Sequence, residues 1–156
     1  MHASTSRPLY IFDLDGTVAL IDHRRHLVAG KRRAWGAFFA ACVHDAPNAP
    51  VIRTMRQLHD SGAQLWIWSG RSDEVKAQTL AWLQRHLPWL GLDGNTLRMR
   101  RQGDYTPDEI LKRSWLHALA VDDRQRLIAI FDDRDKVVAM WRAEGVTCFQ
   151  VAAGDF

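Results

Sequence analysis

Short apolar runs separated by helical patterns constrain the fold of this chain more than any other feature of its sequence. Five runs have the length and composition of β-strands, near residues 8–13, 64–68, 96–100, 127–131 and 146–151. The run at 127–131 is continuously apolar, which is typical of a strand covered on both faces. Strands that alternate with helices in this way predict an α/β fold with a mostly parallel five-stranded sheet flanked by helices.

The stretch 19–62, after the first strand, carries helical patterns. One helix is expected from Arg24 to Val43, and a second opens at Asn48 and Pro50 and ends at Gly62. We therefore predict a small helical cap or flank inserted after the first strand. With 156 residues and an apolar fraction of 47%, the chain fits a single domain spanning residues 1–156.

Two acidic residues follow the first apolar run, in the segment Ile11-Phe12-Asp13-Leu14-Asp15-Gly16-Thr17. Because side chains alternate along a strand, Asp13 and Asp15 could leave its carboxyl end on one side, and Gly16 permits a sharp exit. One carboxylate could attack phosphorus while the other handles the proton. An anionic nucleophile facing a phosphate requires a cation, and carboxylate oxygens favour Mg²⁺. On this motif alone, an ordinary strand-to-turn junction remains the alternative.

Polar residues also follow two further predicted strands. Ser69, Gly70 and Arg71 come after the run at 64–68 and before a predicted helix start, where a hydroxyl, backbone amides and a guanidinium suit a phosphate. An ordinary helix cap is the alternative there. Asp132 and Asp133 follow the run at 127–131, and adjacent acids after a buried strand favour a metal site. Because neighbouring side chains diverge, one of these two acids is expected to bind the ion and the other to lie behind it.

A lysine on a predicted helix completes the set of motifs. The helix begins at Thr106-Pro107-Asp108-Glu109, where Thr106 and Glu109 fit a capping box and Pro107 fits the first helical position. Lys112 then lies one turn after Asp108. Taken alone, a helical lysine is usually solvated.

In chain order, the motifs strand-Asp-x-Asp, strand-Ser-Gly-Arg, helix-Lys and strand-Asp-Asp resemble the haloacid dehalogenase (HAD) superfamily of phosphotransferases. The segments Arg98–Asp104 (RMRRQGD) and Cys148–Phe156 (CFQVAAGDF) are similar to the 3′-phosphatase domain of phage-type polynucleotide kinase-phosphatases. The resemblance runs from about Leu9 to the last residue, and it implies a Rossmann-like HAD fold.

The resemblance also implies roles for single residues. Asp13 is the expected nucleophile, Asp15 the general acid and then base, and Ser69 and Lys112 bind the phosphoryl group. The expected Mg²⁺ ligands are Asp13, the backbone carbonyl of Asp15, and Asp132 or Asp133. The expected substrate-binding residues are Arg24 or its neighbour Arg25, Gly70, Arg71 and Arg100.

Basic residues form clusters at Arg24-Arg25, Lys31–Arg33 and Arg98–Arg101, in a chain with a formal net charge of +3 and a pI near 9.2. Such clusters suit a polyanion, whereas a free mononucleotide needs few phosphate contacts. A solvated basic face is the alternative. Trp35 or Tyr105 could provide a stacking surface for a base, although packing is the more usual role of such rings.

Together with the resemblance, these features predict a Mg²⁺-dependent polynucleotide 3′-phosphatase that acts in nucleic-acid end repair. It would remove terminal 3′-phosphates from single-stranded or nicked DNA or RNA through an aspartyl-phosphate. One alternative is a nucleotidase acting on free nucleoside monophosphates, and another is a non-catalytic nucleic-acid-binding module. No Gly-x-x-x-x-Gly-Lys-Ser/Thr loop occurs in the sequence, so a P-loop kinase domain is not expected here and a separate kinase or ligase is the expected partner.

Targeting signals and disulfides are not expected. The first polar residues lead straight into the first strand, and no apolar run approaches membrane-spanning length. Cys42 and Cys148 lie in apolar contexts without metal-ligand spacing. We therefore expect reduced core cysteines and a cytoplasmic protein.

Overall fold

The computed structural model describes residues 6–156, which form a central five-stranded sheet in which neighbouring strands are parallel. Its strands, numbered in chain order with two short ones, lie in the spatial order β5-β4-β1-β6-β7. They are β1 (Leu9–Phe12), β4 (Gln64–Ser72), β5 (Leu97–Arg100), β6 (Leu127–Asp132) and β7 (Cys148–Gln150). The short strands β2 (Ala19–Leu20) and β3 (Ala46–Pro47) form a separate antiparallel pair. The predicted five-stranded α/β sheet is confirmed.

Helices cover the sheet on both faces. They are α1 (Trp35–Ala40), α2 (Ala49–Asp60), α3 (Lys76–His86), α4 (Asp108–His117), α5 (Val121–Arg126) and α6 (Asp135–Ala143). Three short 3₁₀ turns add Arg25–Val28, Ala41–His44 and Asp73–Val75. Within residues 6–156, no helix is both long and apolar enough to cross a membrane.

Side-chain alternation along β4 shows how the two faces are filled. Trp68 packs on one face against Trp115 of α4 and Trp141 of α6, with ring centroids 5.8 and 6.1 Å away. Its neighbour Ile67 points to the opposite face, into a cluster with Leu83 of α3 and side chains of α2. Both faces are therefore buried, and the carboxyl-end edge of the sheet is left to carry polar groups.

The segment between β1 and β4 differs from the single helix predicted from Arg24 to Val43. Gly30, with φ at +81°, turns the chain where that helix would continue, and α1 begins only at Trp35. The stretch before α1 is polar and lacks the apolar stripe that would hold a helix against the core. The predicted second helix is confirmed as α2, with Pro50 in its first turn.

The start of α4 also differs from the prediction, because the capping box of Thr106 and Glu109 does not form. The first helical residue is Asp108. The Thr106 amide instead donates to the Asp104 carboxylate at 2.9 Å, and the Thr106 carbonyl accepts from Arg100 at 2.6 Å. Side chains of β5 and of the loop after it thus bond the backbone groups of Thr106.

Both cysteines are buried and carry free thiols, as predicted. Burial raises the pKa of the Cys148 thiol to about 12, so this thiol stays protonated at neutral pH.

Candidate active site

The carboxyl ends of β1 and β6 bring the predicted acidic residues together at one edge of the sheet. Asp13 follows β1 directly, and its amide donates to the Phe131 carbonyl at 2.8 Å. Asp132 ends β6, and Asp133 follows it. One oxygen from each of the three carboxylates lies within 4.8 Å of the others, and all three residues are buried. Distant parts of the sequence thus form one acidic cluster.

Lys112 of α4 places a positive charge inside this cluster. Its Nζ donates to Asp13 Oδ1 at 2.7 Å and to Asp132 Oδ2 at 3.1 Å. Burial lowers the pKa of this lysine, but the two carboxylates outweigh burial and raise it above the ordinary value. Burial and then Asp132 raise the pKa of Asp13, with Lys112 opposing them. One ammonium therefore stands against three carboxylates, which leaves the cluster short of positive charge.

Asp132 and Asp133 have different surroundings. Asp132 Oδ2 accepts from Lys112 and from Trp141 Nε1, the latter at 3.2 Å, and Asp132 Oδ1 accepts from the Asp133 amide at 2.9 Å. Asp133 Oδ2 is buried and has no hydrogen-bond partner among the described residues. Burial and then Asp132 raise the pKa of Asp133 to about 6. An orphaned carboxylate oxygen beside further carboxylates fits a hard divalent cation such as Mg²⁺.

Gly16 allows the two acidic segments to approach each other. Its φ of +83° gives the sharp exit predicted for this position. A Cβ there would lie 2.1 Å from Asp133 Oδ2, so no larger residue fits without moving Asp133. The hydroxyl of Thr17, the next residue, donates to Asp13 Oδ2 at 3.3 Å. The turn after β1 therefore shapes the acidic cluster as well as carrying Asp15.

Asp15 lies in a second network of buried charges. Its Oδ1 accepts from Nη2 of Arg71 at 2.5 Å and from Nη2 of Arg24 at 2.7 Å. Burial raises the pKa of Asp15, but Arg71 and Arg24 outweigh it and hold the pKa below its ordinary value. Asp15 is therefore a carboxylate at neutral pH in this arrangement.

The two adjacent arginines after β2 have different positions. Arg24 is fully buried, and its guanidinium bonds to Asp15, to Asp45 and to the Phe38 carbonyl. Arg25 lines the cavity described below, with its guanidinium 4.2 Å above the ring of Phe156. Of the two candidates for a substrate contact, Arg25 is the one that faces the cavity.

Ser69, Gly70 and Arg71 lie within β4, which continues to Ser72, and not at the N-terminus of a helix as predicted. Pairing with β5 extends the strand, although the register is irregular between Ser69 and Ser72. The buried Ser69 hydroxyl accepts from the Arg71 amide at 3.1 Å. The helix start predicted after Arg71 is confirmed one residue later, because Ser72 caps the 3₁₀ turn that leads into α3 and its Oγ accepts from the Glu74 amide at 3.4 Å. Gly70 faces the cavity, while Arg71 turns inward to Asp15.

Arg100 of β5 lines the cavity, but protein groups occupy most of its donors. Its Nε donates to the Gly70 carbonyl at 2.8 Å, and its Nη2 donates to Asp108 at 2.6 Å. Arg98, two residues earlier, lies 4.9 Å above the ring of Trp115. The structure thus places Arg100 where it fixes the Gly70 segment, and it packs Arg98 against the core.

Sequence reasoning missed two acidic residues of this region, Asp45 and Asp108. Asp108 bonds to Arg100 at 2.6 Å and to Arg134 at 3.3 Å. Its position four residues before Lys112, on the same helix face, was the available signal. Asp45 is buried between Arg24 and Arg71, and its sequence context offers no motif that could have identified it.

A cavity of about 950 Å³ opens over the acidic cluster. Its floor includes the four predicted carboxylates, Asp13, Asp15, Asp132 and Asp133. Its wall carries cations and aromatic rings, namely Arg25, Arg33, Trp35, Arg101, Tyr105, Arg134, Lys136 and Phe156. Five acidic residues lie among them, namely Glu74, Asp104, Asp108, Glu109 and Asp155. Trp35 and Tyr105 are 36% and 83% exposed, so both rings are open to a ligand. Cations interleaved with exposed rings suit a phosphate backbone that carries bases.

Comparison with known proteins gives matches over nearly the whole chain. The family model of the polynucleotide kinase PNKP phosphatase domain matches residues 7–156. A protein of Autographa californica nuclear polyhedrosis virus, named as a bifunctional polynucleotide kinase/RNA ligase, is 31% identical over 133 residues. That match covers 83% of this chain and 17% of the viral protein.

Solved structures share the fold. A chain of the Pnkp1/Rnl/Hen1 RNA repair complex has a TM-score of 0.77 and 30% identity, over 97% of this chain and 45% of that one. A second Pnkp1/Rnl/Hen1 structure has a TM-score of 0.76 and 31% identity, over 97% and 48%. The class C acid phosphatase from Bacillus anthracis, with a TM-score of 0.68, 13% identity and coverage of 99% and 70%, shares the fold alone. The chain thus spans less than half of the repair-complex chains and a small part of the viral protein.

Proposed function

The chain belongs to the polynucleotide kinase PNKP phosphatase domain family, within the HAD-like fold, and on that premise we propose that it is a Mg²⁺-dependent polynucleotide 3′-phosphatase. It would remove terminal 3′-phosphates from DNA or RNA and leave a hydroxyl for end repair. The observation that carries the proposal is the contact of Asp13 with Lys112 inside the acidic cluster, at 2.7 Å. Such a contact keeps a nucleophilic carboxylate beside a fixed positive charge at the floor of an open cavity.

In the proposed mechanism, the Asp13 carboxylate attacks phosphorus, and the bond to the 3′-oxygen breaks as an aspartyl-phosphate forms. Lys112 offsets negative charge on Asp13 and on the transferring group, and Ser69 is the other proposed phosphate contact. Arg71, predicted as a substrate contact, turns inward and acts through its bond to Asp15. The proposed Mg²⁺ ligands are Asp13, the backbone carbonyl of Asp15, and Asp133. Bound Mg²⁺ supplies charge neutralisation between the nucleophile and the phosphate. Asp132, whose Oδ2 already accepts from Lys112 and Trp141, holds the lysine in place.

Asp15 requires a proton before it can serve as the acid, because Arg71 and Arg24 keep its pKa low. The monoanion of a phosphomonoester still carries a proton, which it loses with a pKa near 6. We propose that this proton passes to Asp15 and then to the departing 3′-oxygen. Asp15, ionised again, takes a proton from the water that attacks the aspartyl-phosphate, which releases phosphate and restores Asp13. Asp15, whose pKa is low, then gives this proton to the released phosphate and is ionised for the next turnover.

The cavity favours a polynucleotide over a free mononucleotide. Its volume, about 950 Å³, is at the upper end of the range for a single small ligand. Arg33 and Trp35 form a cation–ring pair on its wall, with Arg33 5.9 Å from the Trp35 ring centre. The terminal phosphate is proposed to bind at Asp13, so these groups are not needed to bind it. We propose that they, with Arg25, contact the nucleotides before the 3′ end.

We further propose that the protein works with a kinase or ligase on single-stranded or nicked ends. The sequence carries no P-loop motif, the viral relative is named as a kinase/ligase, and the solved neighbours come from complexes of Pnkp1, Rnl and Hen1. A single domain spanning residues 1–156 and a cytoplasmic location remain predictions.

The direct test uses an oligonucleotide with phosphates at both ends, incubated with the protein and Mg²⁺, in DNA and RNA forms. We expect the 3′-phosphate alone to leave, and EDTA or Asp13→Asn to stop the reaction. The 5′-phosphate is an internal control for end selectivity.

The same assay separates the alternatives. Strong preference for free nucleoside monophosphates over the oligonucleotide would identify a nucleotidase. Tight oligonucleotide binding with no phosphate release from either end would identify a non-catalytic binding module. Persistent activity in Asp13→Asn would refute the covalent route.

A further inference from the structure

From the surroundings of Arg25 we infer that Phe156 positions this arginine as a binding site for the phosphodiester that precedes the 3′-terminal nucleotide. The inference deepens the proposed function and rests on it. Both residues line the cavity, and the Arg25 guanidinium lies 4.2 Å above the centre of the Phe156 ring. They come from distant parts of the chain, Arg25 from the 3₁₀ turn after β2 and Phe156 from the segment after β7.

Arg25 differs from the other arginines close to the acidic cluster, because no protein carboxylate occupies its donors. Arg24 and Arg71 bond to Asp15, and Arg100 bonds to Asp108. Arg25 Nε, by contrast, is buried and has no hydrogen-bond partner among the described residues. The one described carboxylate near its guanidinium is that of an exposed residue, Asp22, at 3.9 Å from Nη1, which is too far for a hydrogen bond. The guanidinium therefore keeps hydrogen-bonding capacity for a ligand in the cavity.

The ring of Phe156 can hold this guanidinium without using its donors. An aromatic ring contacts the flat side of a guanidinium, whose N–H groups point outward in the plane and can bind a phosphate through two parallel bonds. Arg25 is half-buried, whereas the other cavity arginines without a carboxylate partner, Arg33 and Arg101, are exposed. Arg25 therefore loses less side-chain freedom than they would on binding a phosphate.

The acidic loop holds Phe156 in place. Arg134 Nε donates to the Phe156 carbonyl, and the Arg134 guanidinium lies 5.5 Å from the centre of the ring. Two residues before Phe156, the Gly154 carbonyl accepts from the Asp135 amide at 2.7 Å, and the Gly154 amide donates to Asp135 Oδ1 at 3.3 Å. The ring is thus tied to the loop that carries Asp133, and it fixes Arg25 against that loop.

The position of Arg25 suits the second phosphate from the 3′ end. Its neighbour Arg24 bonds to Asp15, and adjacent Cα atoms lie about 3.8 Å apart, so Arg25 starts close to the catalytic turn and extends into the cavity. The terminal phosphate is proposed to bind at Asp13, where Lys112 already supplies a cation. The first phosphate that a strand presents beyond that point is the phosphodiester before its last nucleotide, which carries one negative charge.

The test compares two dinucleotides that both carry a 3′-phosphate. One has a phosphodiester between its nucleosides, and the other has a methylphosphonate, which is uncharged. Arg25→Gln should raise KM for the phosphodiester substrate about tenfold, as expected for loss of a charged hydrogen bond, and leave KM for the methylphosphonate and both kcat values unchanged. Arg53→Gln, which removes an exposed arginine of α2 outside the cavity, is the matched control and should change neither KM.

Substitutions of Phe156 separate the effect of its ring from that of its bulk. Phe156→Leu should raise KM for the phosphodiester substrate about threefold, because the contact between cation and ring is lost, whereas Phe156→Tyr should keep the wild-type value. In an Arg25→Gln protein, Phe156→Leu should cause no further increase, since the ring acts through the arginine. If Phe156→Leu does not fold, Phe156→Met must show the same selective increase.

Three results would overturn the inference. Equal KM values for the two dinucleotides in the wild type would mean that the phosphodiester charge is not bound. Equal increases for both substrates in Arg25→Gln would assign the arginine to the terminal phosphate or to a purely structural role. A further increase on addition of Phe156→Leu to Arg25→Gln would mean that the ring does not act through the arginine.

Failure of the proposed substrate is distinguishable from failure of this inference. A wild-type protein that rejects both dinucleotides but hydrolyses a nucleoside 3′-monophosphate would overturn the proposed function only. The comparison then sets a nucleoside 3′,5′-bisphosphate, whose 5′-phosphate takes the place of the phosphodiester, against that monophosphate. A protein inactive on every 3′-phosphate would overturn both.

Discussion

Gly154 lies so close to the acidic loop that one added methyl group should disturb metal binding. A Cβ there would be 2.3 Å from the Asp133 carbonyl oxygen and 2.8 Å from the Arg134 Cα. The Asp135 amide also donates to the Gly154 carbonyl at 2.7 Å, so the two segments cannot separate freely. We expect Gly154→Ala to displace Asp133 and weaken the apparent Mg²⁺ affinity about tenfold, or about 1.4 kcal/mol. A titration of phosphatase activity with Mg²⁺ measures this shift.

Gly91→Ala is the matched control, because no atom lies within 4 Å of a Cβ at that position. Its Mg²⁺ titration should overlay that of the wild type. An unchanged Mg²⁺ midpoint in Gly154→Ala would contradict this prediction, because it would mean that the added methyl group is accommodated without displacing Asp133. Thermal unfolding of both variants separates a local effect on the site from a general loss of stability.

Site residues at strand ends could be identified from the sequence. Site residues that only tertiary contacts bring to the site could not. Asp13 and Asp132 each follow an apolar run that predicts a strand. The topology of a parallel sheet brings the carboxyl ends of such strands together. Asp45 follows no such run, and it reaches Arg24 through the pairing of β2 with β3 and the bond of Trp82 to its carbonyl. The choice between Asp132 and Asp133 likewise depends on hydrogen bonds to Lys112 and Trp141.

At the scale of elements, the buried strands and the helix α2 were predictable, whereas the part of the insertion before α2 was not. An apolar run such as the one ending at Phe131 records burial on both faces, whatever lies around it. The part before α2 has short elements, and the chain turns at Gly30 in a polar stretch that lacks the apolar stripe of a helix. The extension of β4 to Ser72 could not be predicted either, because it depends on pairing with β5 and not on apolar composition.

The position of α1 makes the insertion a candidate wall for the substrate. Trp35, its first residue, stacks on Phe39 with ring centroids 5.8 Å apart and keeps 36% of its surface exposed. Trp35→Ala should raise KM for a 3′-phosphorylated oligonucleotide about tenfold, since loss of one base stacking contact costs about 1–3 kcal/mol. KM for p-nitrophenyl phosphate, which has no base beyond the phosphate, should stay unchanged. Steady-state kinetics on both substrates provide the measurement.

Val43→Ala tests whether the effect belongs to the wall and not to the insertion in general. Val43 is 43% exposed on the neighbouring 3₁₀ turn and does not line the cavity. Its substitution should leave both KM values unaltered. Equal increases in KM for the two substrates of Trp35→Ala would remove Trp35 from the base-contacting role and favour simple disturbance of α1.

For the whole molecule, the buried acidic cluster should make stability depend on pH and Mg²⁺ together. Burial and then Asp132 raise the pKa of Asp133 to about 6, above its value in the unfolded chain. The folded protein therefore binds this proton more tightly, and its free energy of unfolding in EDTA should rise as pH falls from about 7.5 to 5.5. Mg²⁺ competes with the proton, so it should raise Tm more at the higher pH. Each kcal/mol corresponds to about 2–4 °C in a domain of this size.

Thermal unfolding of Asp133→Asn at the same two pH values isolates the contribution of this carboxyl. Other groups oppose it: burial and then Arg85 lower the pKa of His86, so protonation of that histidine favours the unfolded chain as pH falls. The difference between wild type and variant cancels such terms. In EDTA the wild type should gain stability on acidification relative to Asp133→Asn, and the variant should lose most of the response to Mg²⁺. Identical pH dependence of stability in the two proteins would mean that Asp133 is not the carboxylate for which a proton and Mg²⁺ compete.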